Sequence, residues 1–346
     1  MDQIIRIGMD TSKNVFHLHG VNAAEQPTLR RRLTRKQMMG FFEKLGPTIV
    51  GIEACGGAHY LARQLCAFGH EVKLLPPQLV KPYVKRNKND ARDAEALCEA
   101  MSRPTMRFVR VKTAEEQAAL MLAGQRDRQV RSRVQLANSI RGYAAEFGLI
   151  AAKGPAKIEE LLLRTQAEEG LPALARELFA AMAKEYAQLE RRLAEIDAKL
   201  MAWHRSNELS RRLVEIPSVG PVIASLTAMK VQEPRAFRSG RDYAAWLGLT
   251  PKDHSTAGKQ RLGTITRAGD EDLRRLLVVG ATAVIWQARR GKGKASPWLA
   301  ALIKRKPPKL AAVALANKTA RICWKLMVSG ERYNPRIMAL AASEAA

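Results

Sequence analysis

Apolar positions along the first hundred residues change period in a regular order. Ile4 to Asp10 reads as a strand, rich in β-branched residues and closing on an acid. Thr11-Ser12-Lys13-Asn14 is a turn, Val15 to Val21 alternates as a second strand, and Thr28 to Leu33 makes a weaker third. Thr34 opens a helix, with Gln37 placed as its capping-box partner. Thr48 to Ile52 has the apolar run of a buried strand and ends at Glu53. Gly57 to Phe68 has helical period, Glu71 to Leu75 is a strand that Pro76-Pro77 breaks, and a further helix begins near Asn89.

Three meandering strands followed by alternating helix and strand is the arrangement of the α/β ribonuclease H fold, which is expected over residues 1–110. The acids fall at informative places on it. Asp10 closes the first strand, Glu53 closes the fourth, and Asp90 and Asp93 stand three apart on one face of the last helix. Neighbouring strands of one sheet end together, so these four carboxylates can converge. Converging carboxylates repel unless a cation neutralises them. Mg²⁺ prefers oxygen ligands and takes few from protein, which leaves room for a phosphate; two such ions can clamp both sides of a phosphodiester. Taken singly, each acid is as well explained as a turn former or cap, Asp90 as the cap of a helix over 89–100. The agreement of element order with acid position carries the site.

Beyond this region the period is helical. Thr113 to Phe147 reads as one helix with Val130, Val134, Ile140 and Phe147 near one face, and Leu171 to Trp203 as another. In the second, Met182, Tyr186, Leu189, Leu193, Ile196, Leu200 and Trp203 recur at alternating steps of four and three, a coiled-coil seam. The seam fits an antiparallel hairpin, a dimer interface, or an amphipathic helix packed on its own chain. Gly154-Pro155 and Gly170-Leu171-Pro172 separate the helical pieces of a connector over 111–206. A mainly helical domain over 207–346 follows. Its Ile216-Pro217-Ser218-Val219-Gly220-Pro221 turn is like a helix-hairpin-helix, in which Gly220 lets a phosphate approach backbone N–H groups. Ser239 to Asp242 is a capping box opening a helix through Trp246. After it, Gly248 to Gly263 is a polar, glycine-bearing loop with Lys259 and Arg261, a kind of loop that holds phosphates or carries chemistry. No triad surrounds its Ser255, and adjacency in sequence does not bring the His254 ring to that hydroxyl.

Charge names the partner class. The 346 residues are 47% hydrophobic, enough for a sizeable core and two domains with a connector. Lys and Arg number 58 against 33 Asp and Glu, a net charge of +25, which suits a polyanion whose counterions are released on binding. From Arg235 onward there are 22 Lys and Arg against 7 Asp and Glu, so over half the excess lies in the last third. Cys55, Cys66, Cys98 and Cys323 have no paired spacing, which argues against a structural zinc site. Met-Asp-Gln-Ile-Ile-Arg is no signal peptide, and no apolar run nears the ~20 residues of a membrane helix. No membrane partner and a cytoplasmic location are expected. Five Trp and six Tyr do not suggest an aromatic base-reading platform.

Together these residues resemble the transposases of the insertion sequence 110 family, the bridge-RNA-guided recombinases. The resemblance rests on Gly8-Met9-Asp10-Thr11-Ser12-Lys13, Gly51-Ile52-Glu53-Ala54, Asn89-Asp90-Ala91-Arg92-Asp93-Ala94, the Ile216–Pro221 turn and the Gly248–Gly263 loop, in that order over nearly the whole chain. It implies a front domain like that of the Holliday-junction resolvase RuvC, with Asp10, Glu53, Asp90 and Asp93 as the DEDD set that holds Mg²⁺. It also implies a catalytic serine at Ser255, which attacks a DNA phosphodiester and keeps the bond energy in a phosphoserine link. The partners implied are donor and target double-stranded DNA, a guide (bridge) RNA read by base pairing, and further copies of the chain in a dimer or tetramer. In such an assembly the active-site halves can come from different subunits. The implied setting is a bacterial cytoplasm, acting at the nucleoid. From charge and proximity alone, Lys259, Arg261 and Arg267 are candidate phosphate contacts.

Three other readings use the same residues. A metal-dependent junction resolvase or nuclease would hydrolyse at the carboxylates and leave Ser255 structural. An actin-like phosphotransferase shares the sheet, but it needs glycine-rich phosphate loops and a duplicated fold that this sequence lacks. A non-enzymatic nucleic-acid-binding protein needs only the charge.

Overall fold

Period-two alternation in the first seventy-five residues becomes a five-stranded sheet. The computed structural model describes residues 3–84, 89–256, 258–259, 261–292 and 295–334. Strands β1 (Arg6–Thr11), β2 (Val15–Val21) and β3 (Pro27–Thr34) form an antiparallel meander. Strands β4 (Ile49–Glu53) and β5 (Glu71–Leu75) continue it in parallel, giving the order β3-β2-β1-β4-β5. Helices α1 (Arg35–Lys44) and α2 (Ala58–Ala67) cover one face, where Ile7, Met9, Phe16, Ile52, Phe42 and Leu65 are fully buried. The expected capping box starts α1, with Thr34 accepting from the Gln37 N–H and the Gln37 side chain reaching back.

The other face carries the short α3 (Pro77–Val80) and α4 (Asp90–Ala100), packed through Leu75, Val80, Ala96, Leu97 and Ala100. Gly8 sets how closely α4 approaches. A Cβ there would stand 2.1 Å from the Ala94 carbonyl oxygen and 2.5 Å from the Cys98 nitrogen, both backbone atoms. Asn89 is the N-cap of α4, its side chain accepting from the Ala91 N–H at 3.0 Å. Asp90 is therefore not the cap and its carboxylate is left for other work.

These elements belong to one compact unit, Met1–Ala118; the second is Ala119–Ala346. The second takes in most of α5 (Ala114–Ala145), then α6 (Ala156–Ala167) and α7 (Ala173–Ser206). Ion pairs Arg126–Asp197 at 2.5 Å and Arg133–Glu190 at 3.2 Å are seven residues apart on both helices, so α5 and α7 run antiparallel. On the seam of α7, Tyr186, Leu189, Leu193 and Leu200 are buried, and Phe179 and Tyr186 pack with Ala137, Ile140 and Ala144 of α5 and with Leu161 of α6. The buried stripe of α5 differs from the expected one. It runs through Gln129, Ala137, Ile140 and Ala144, while Val134 is 50% exposed and Phe147 lies beyond the helix end at 43%. Apolar residues of α5 are spread around the helix instead of along one stripe, and the inward face of its second half is chosen by α6 and α7.

Helices α8 (Glu208–Leu213), α9 (Pro221–Lys230), α10 (Gly240–Trp246), α11 (Glu271–Arg289), α12 (Pro297–Arg305) and α13 (Pro308–Ser329) enclose a core around Tyr243, Leu247, Leu277, Ile285 and Leu326. Ser239 caps α10 by accepting from the Asp242 N–H, as its sequence predicts. Between α10 and α11 the expected polar loop is a hairpin of β6 (Pro251–Asp253) and β7 (Leu262–Ile265). Its strands are nearly all exposed, which is why no apolar alternation announces them. Within it, Ala257 and Gln260 lie outside the described residues. No helix among the described residues is long and apolar enough to cross a membrane.

Candidate active site

Strand register assembles the front site. Gly8 pairs with Gly51 and Met9 with Ile52, so Asp10 and Glu53 close neighbouring parallel strands on the face that α4 covers. The antiparallel register sets His17 opposite Asp10 and Arg32 opposite His17. One row across this face therefore reads Glu53, Asp10, His17, Arg32. Asp90 and Asp93 come to it from the first turn of α4, which packs against β1 and β2.

The acids are electrostatically coupled. Burial, then the charges of Asp93 and Asp90, push the Asp10 carboxyl from 3.8 up to about 6, against the opposing pull of the Thr11 N–H and His17. Burial and Asp93 raise Glu53 as well. Asp93 thus acts on both strand-end acids. Asp90 is turned toward β2, its Oδ2 3.9 Å from Nε2 of His17. Among the described residues no three His, Cys, Asp or Glu side chains stand close enough to enclose a metal ion. The four acids share one end of the sheet, where Asp93 and Asp90 act on Asp10 and Asp93 acts on Glu53.

His17 and Arg32 escape a reading of the sequence alone. Alternation of β2 places His17 opposite to Phe16 and Leu18, but its position beside Asp10 depends on the register of two strands.

The back site is the hairpin. The Ser255 N–H donates to Asp253 Oδ1 at 2.8 Å, and the Ser255 Oγ accepts from the Arg261 N–H at 2.9 Å. Side-chain and backbone hydrogen bonds from Ser255 hold the Asp253 carboxyl below the usual carboxylate range. Ser255 is exposed, at the turn end of β6. His254 is tied across the hairpin by its N–H to the Arg261 carbonyl at 2.9 Å, and its ring lies against Gly263. Among the described residues no hydrogen bond joins that ring to Ser255. Ser255 is tied instead to Asp253, two residues away, through its N–H, a pairing that only the turn geometry reveals. Of the candidate phosphate contacts, Arg261 meets Ser255 through its backbone, Lys259 closes the turn by its N–H to the Thr256 carbonyl, and Arg267 leaves β7 with φ of 57°. All three are exposed.

The Ile216–Pro221 turn is braced from behind. Its left-handed residue is Ser218, with φ of 77°, and not Gly220, whose φ is −84°. Ser218 Oγ meets Thr319 Oγ1 at 2.9 Å. Gly220 is the N-cap of α9; it is exposed, open space lies above it, and no side chain caps the helix. The α9 N–H groups point outward there.

Two family models match the chain. One, described as Transposase IS116/IS110/IS902 family, matches residues 210–295, and the other, a transposase model of the DEDD type named for IS110, matches residues 7–147. The second span holds all four acids and the first holds Gly220 and Ser255. The chain is 65% identical to a putative transposase of Sinorhizobium fredii, over 96% of this chain and 86% of that protein. It is 39% identical to the transposase for insertion sequence element IS1328 of Yersinia enterocolitica, over 95% and 98%. It is 38% identical to the transposase for insertion sequence element IS1111A of Coxiella burnetii, over 96% and 92%. With both halves matched and relatives of this identity aligned along nearly all of its length, the chain belongs to the IS116/IS110/IS902 family of insertion-sequence transposases.

Proposed function

We propose that this transposase cuts and rejoins DNA through a phosphoserine at Ser255, with a divalent cation held by Asp10, Glu53, Asp90 and Asp93 on a RuvC-like domain. The observation that carries the reading is the coupled row of acids, in which Asp10 is raised to about 6 by burial, Asp93 and Asp90. A carboxylate kept in such company suits a site that a cation completes. Four oxygen donors fit a hard ion such as Mg²⁺. When bound, Mg²⁺ would stabilise charge building on phosphate oxygens. The strand order β3-β2-β1-β4-β5, with a three-stranded meander and two parallel strands, is that of a ribonuclease-H-like sheet and supports the domain reading.

Ser255 has features that suit the role: exposure, the Asp253 carboxylate held at its N–H and the Arg261 backbone N–H at its oxygen. In the proposed step the Oγ loses its proton to solvent and attacks phosphorus, the bond from phosphorus to the leaving nucleoside oxygen breaks, and that oxygen takes up a proton from solvent to leave as a free hydroxyl end. The phosphodiester energy stays in the Ser–O–P bond, so the reverse attack by a second strand rejoins DNA without a nucleotide cofactor. Lys259, Arg261, Arg267 and the helix-hairpin-helix-like turn at Gly220 would meet phosphates. The three-part organisation, with 111–206 as a partly coiled-coil connector, and assembly as a dimer or tetramer belong to the same reading. So does a bridge RNA, because base pairing reads the sequence and leaves the protein only backbone and shape to recognise.

The test is a covalent one. Wild type is incubated with DNA carrying the native element ends, Mg²⁺ and RNA transcribed from the flanking sequence, then resolved under denaturing conditions. A protein–DNA adduct is expected in wild type. It should vanish in Ser255→Ala with duplex binding kept, and strand joining should need the RNA. Hydrolysis by Ser255→Ala at the wild-type rate would leave a metal-dependent nuclease instead.

A further inference from the structure

The face that carries the acids continues past them. Period-two alternation puts Arg30 and Arg32 of β3 on the α4 face, about 6.8 Å apart, opposite His19 and His17. Arg31 lies on the other face, its guanidinium 5.7 Å from the Phe41 ring centre. The run Arg30-Arg31-Arg32 is thus not a uniformly solvated stretch, because the fold sorts one arginine away and turns two toward the acid side. A cleft of about 460 Å³ opens there, with His17, His19, Arg30, Arg32, Asn89 and Arg92 among its walls; Arg31 borders it too, between Arg30 and Arg32 on the strand, while its guanidinium stays over Phe41. Glu95 is the carboxylate on its rim, and among the described residues no ion pair engages Arg30 or Arg32.

Two features point to the ligand. Cationic side chains gathered in a concave, exposed place repel one another, and an anion relieves that repulsion. The row Glu53, Asp10, His17, Arg32 also runs without a break from the acids to the cations. Two strand spacings, about 10 Å, separate Asp10 from Arg32. Over that span the long arginine side chain can reach back to a phosphate next along a strand whose reacting phosphate lies at Asp10. We propose that the β3–α4 cleft binds the backbone of the DNA strand that enters the acid site, with Arg30 and Arg32 as its phosphate ligands. His17 separates the two charges and faces both. The cleft fixes the path of the strand across the sheet and reads no bases. This rests on the acids being the place where DNA reacts.

The test is a salt titration of DNA binding by the full chain, with labelled duplex and fluorescence anisotropy. Each phosphate contact contributes about 0.9 to the slope of log K against log salt. Arg30→Ala/Arg32→Ala should lower that slope by roughly 2 and weaken binding tens of fold at about 0.1 M salt. Arg30→Lys/Arg32→Lys should keep the slope, and Arg31→Ala should leave it at the wild-type value. Thermal melts of each variant show whether the fold is kept; if the alanine pair unfolds, Arg30→Gln/Arg32→Gln replaces it. An unchanged slope in a folded double variant overturns the proposal, and so does a loss confined to RNA duplexes. Asp10→Asn separates the two readings. It should bind DNA with the wild-type slope and join no strands. If it joins strands while the arginine pair still lowers the slope, the catalytic reading fails and the cleft stands.

Discussion

Replacing Asp10 with Asn should stabilise the metal-free protein while silencing it. The carboxyl is held at about 6 against its usual 3.8, so keeping it charged in the fold at neutral pH costs roughly 3 kcal/mol before screening. Asp10 is half exposed, and solvent screening reduces the figure to about 1 kcal/mol. The sign follows from proton counts. Between about pH 4 and pH 6 the folded protein keeps a proton that the unfolded chain has released, so stability falls as pH rises through that window and stays lower above it. Asn keeps the size and can still accept from the Thr11 N–H, but it carries no charge to bury or to repel Asp93 and Asp90. Thermal melts in EDTA should therefore show the variant melting roughly 3–6 °C above wild type at pH 7 and level with it at pH 4. Added Mg²⁺ should raise the wild-type midpoint by mass action and move the variant much less. A variant melting at or below wild type at pH 7, or one with the same pH slope, would refute the charge-crowding account of the site.

Further outcomes follow from the packing. Gly8→Val sets a side chain against the Ala94 oxygen and Cys98 nitrogen, backbone atoms that cannot swing away, so α4 must lift from β1. Urea unfolding should show a loss of about 2–3 kcal/mol together with lost strand joining, and a change under ~0.5 kcal/mol would contradict the contact. Asp270→Ala removes the N-cap of α11, where the carboxylate accepts from the Leu273 N–H at 2.9 Å and binds Lys230 Nζ at 2.7 Å. A loss of about 2 kcal/mol is expected; Lys230 keeps Asp272 at 3.0 Å as a second partner, so Lys230→Met in the same chain should add less than its loss in wild type, and additive losses would show no coupling. The loss of the covalent adduct in Ser255→Ala and the arginine-pair salt slope complete the set.

Local chemistry made much of the front domain legible. Alternation marks β1 and β2, the Thr34–Gln37 pair starts α1, and the acids end strands that must finish together. The motifs around Asp10, Glu53, Asp90, Gly220 and Ser255 carried the family, which the relatives then showed. Tertiary structure decided which residues meet. Asp90 faces His17 because Asn89 takes the cap. Ala137, Ile140 and Ala144 turn inward and Val134 outward because α6 and α7 choose the face of a helix whose own pattern is weak. Ser255 finds Asp253, not His254, because the hairpin turns where it does. The row Glu53, Asp10, His17, Arg32 joins residues from four strands, and a slip of one residue between any two would send a member to the opposite face. Period is set by neighbours in the chain and can be read from them. Register is set by the summed packing of both faces, Gly8 under α4 included, and exists only once the sheet is closed.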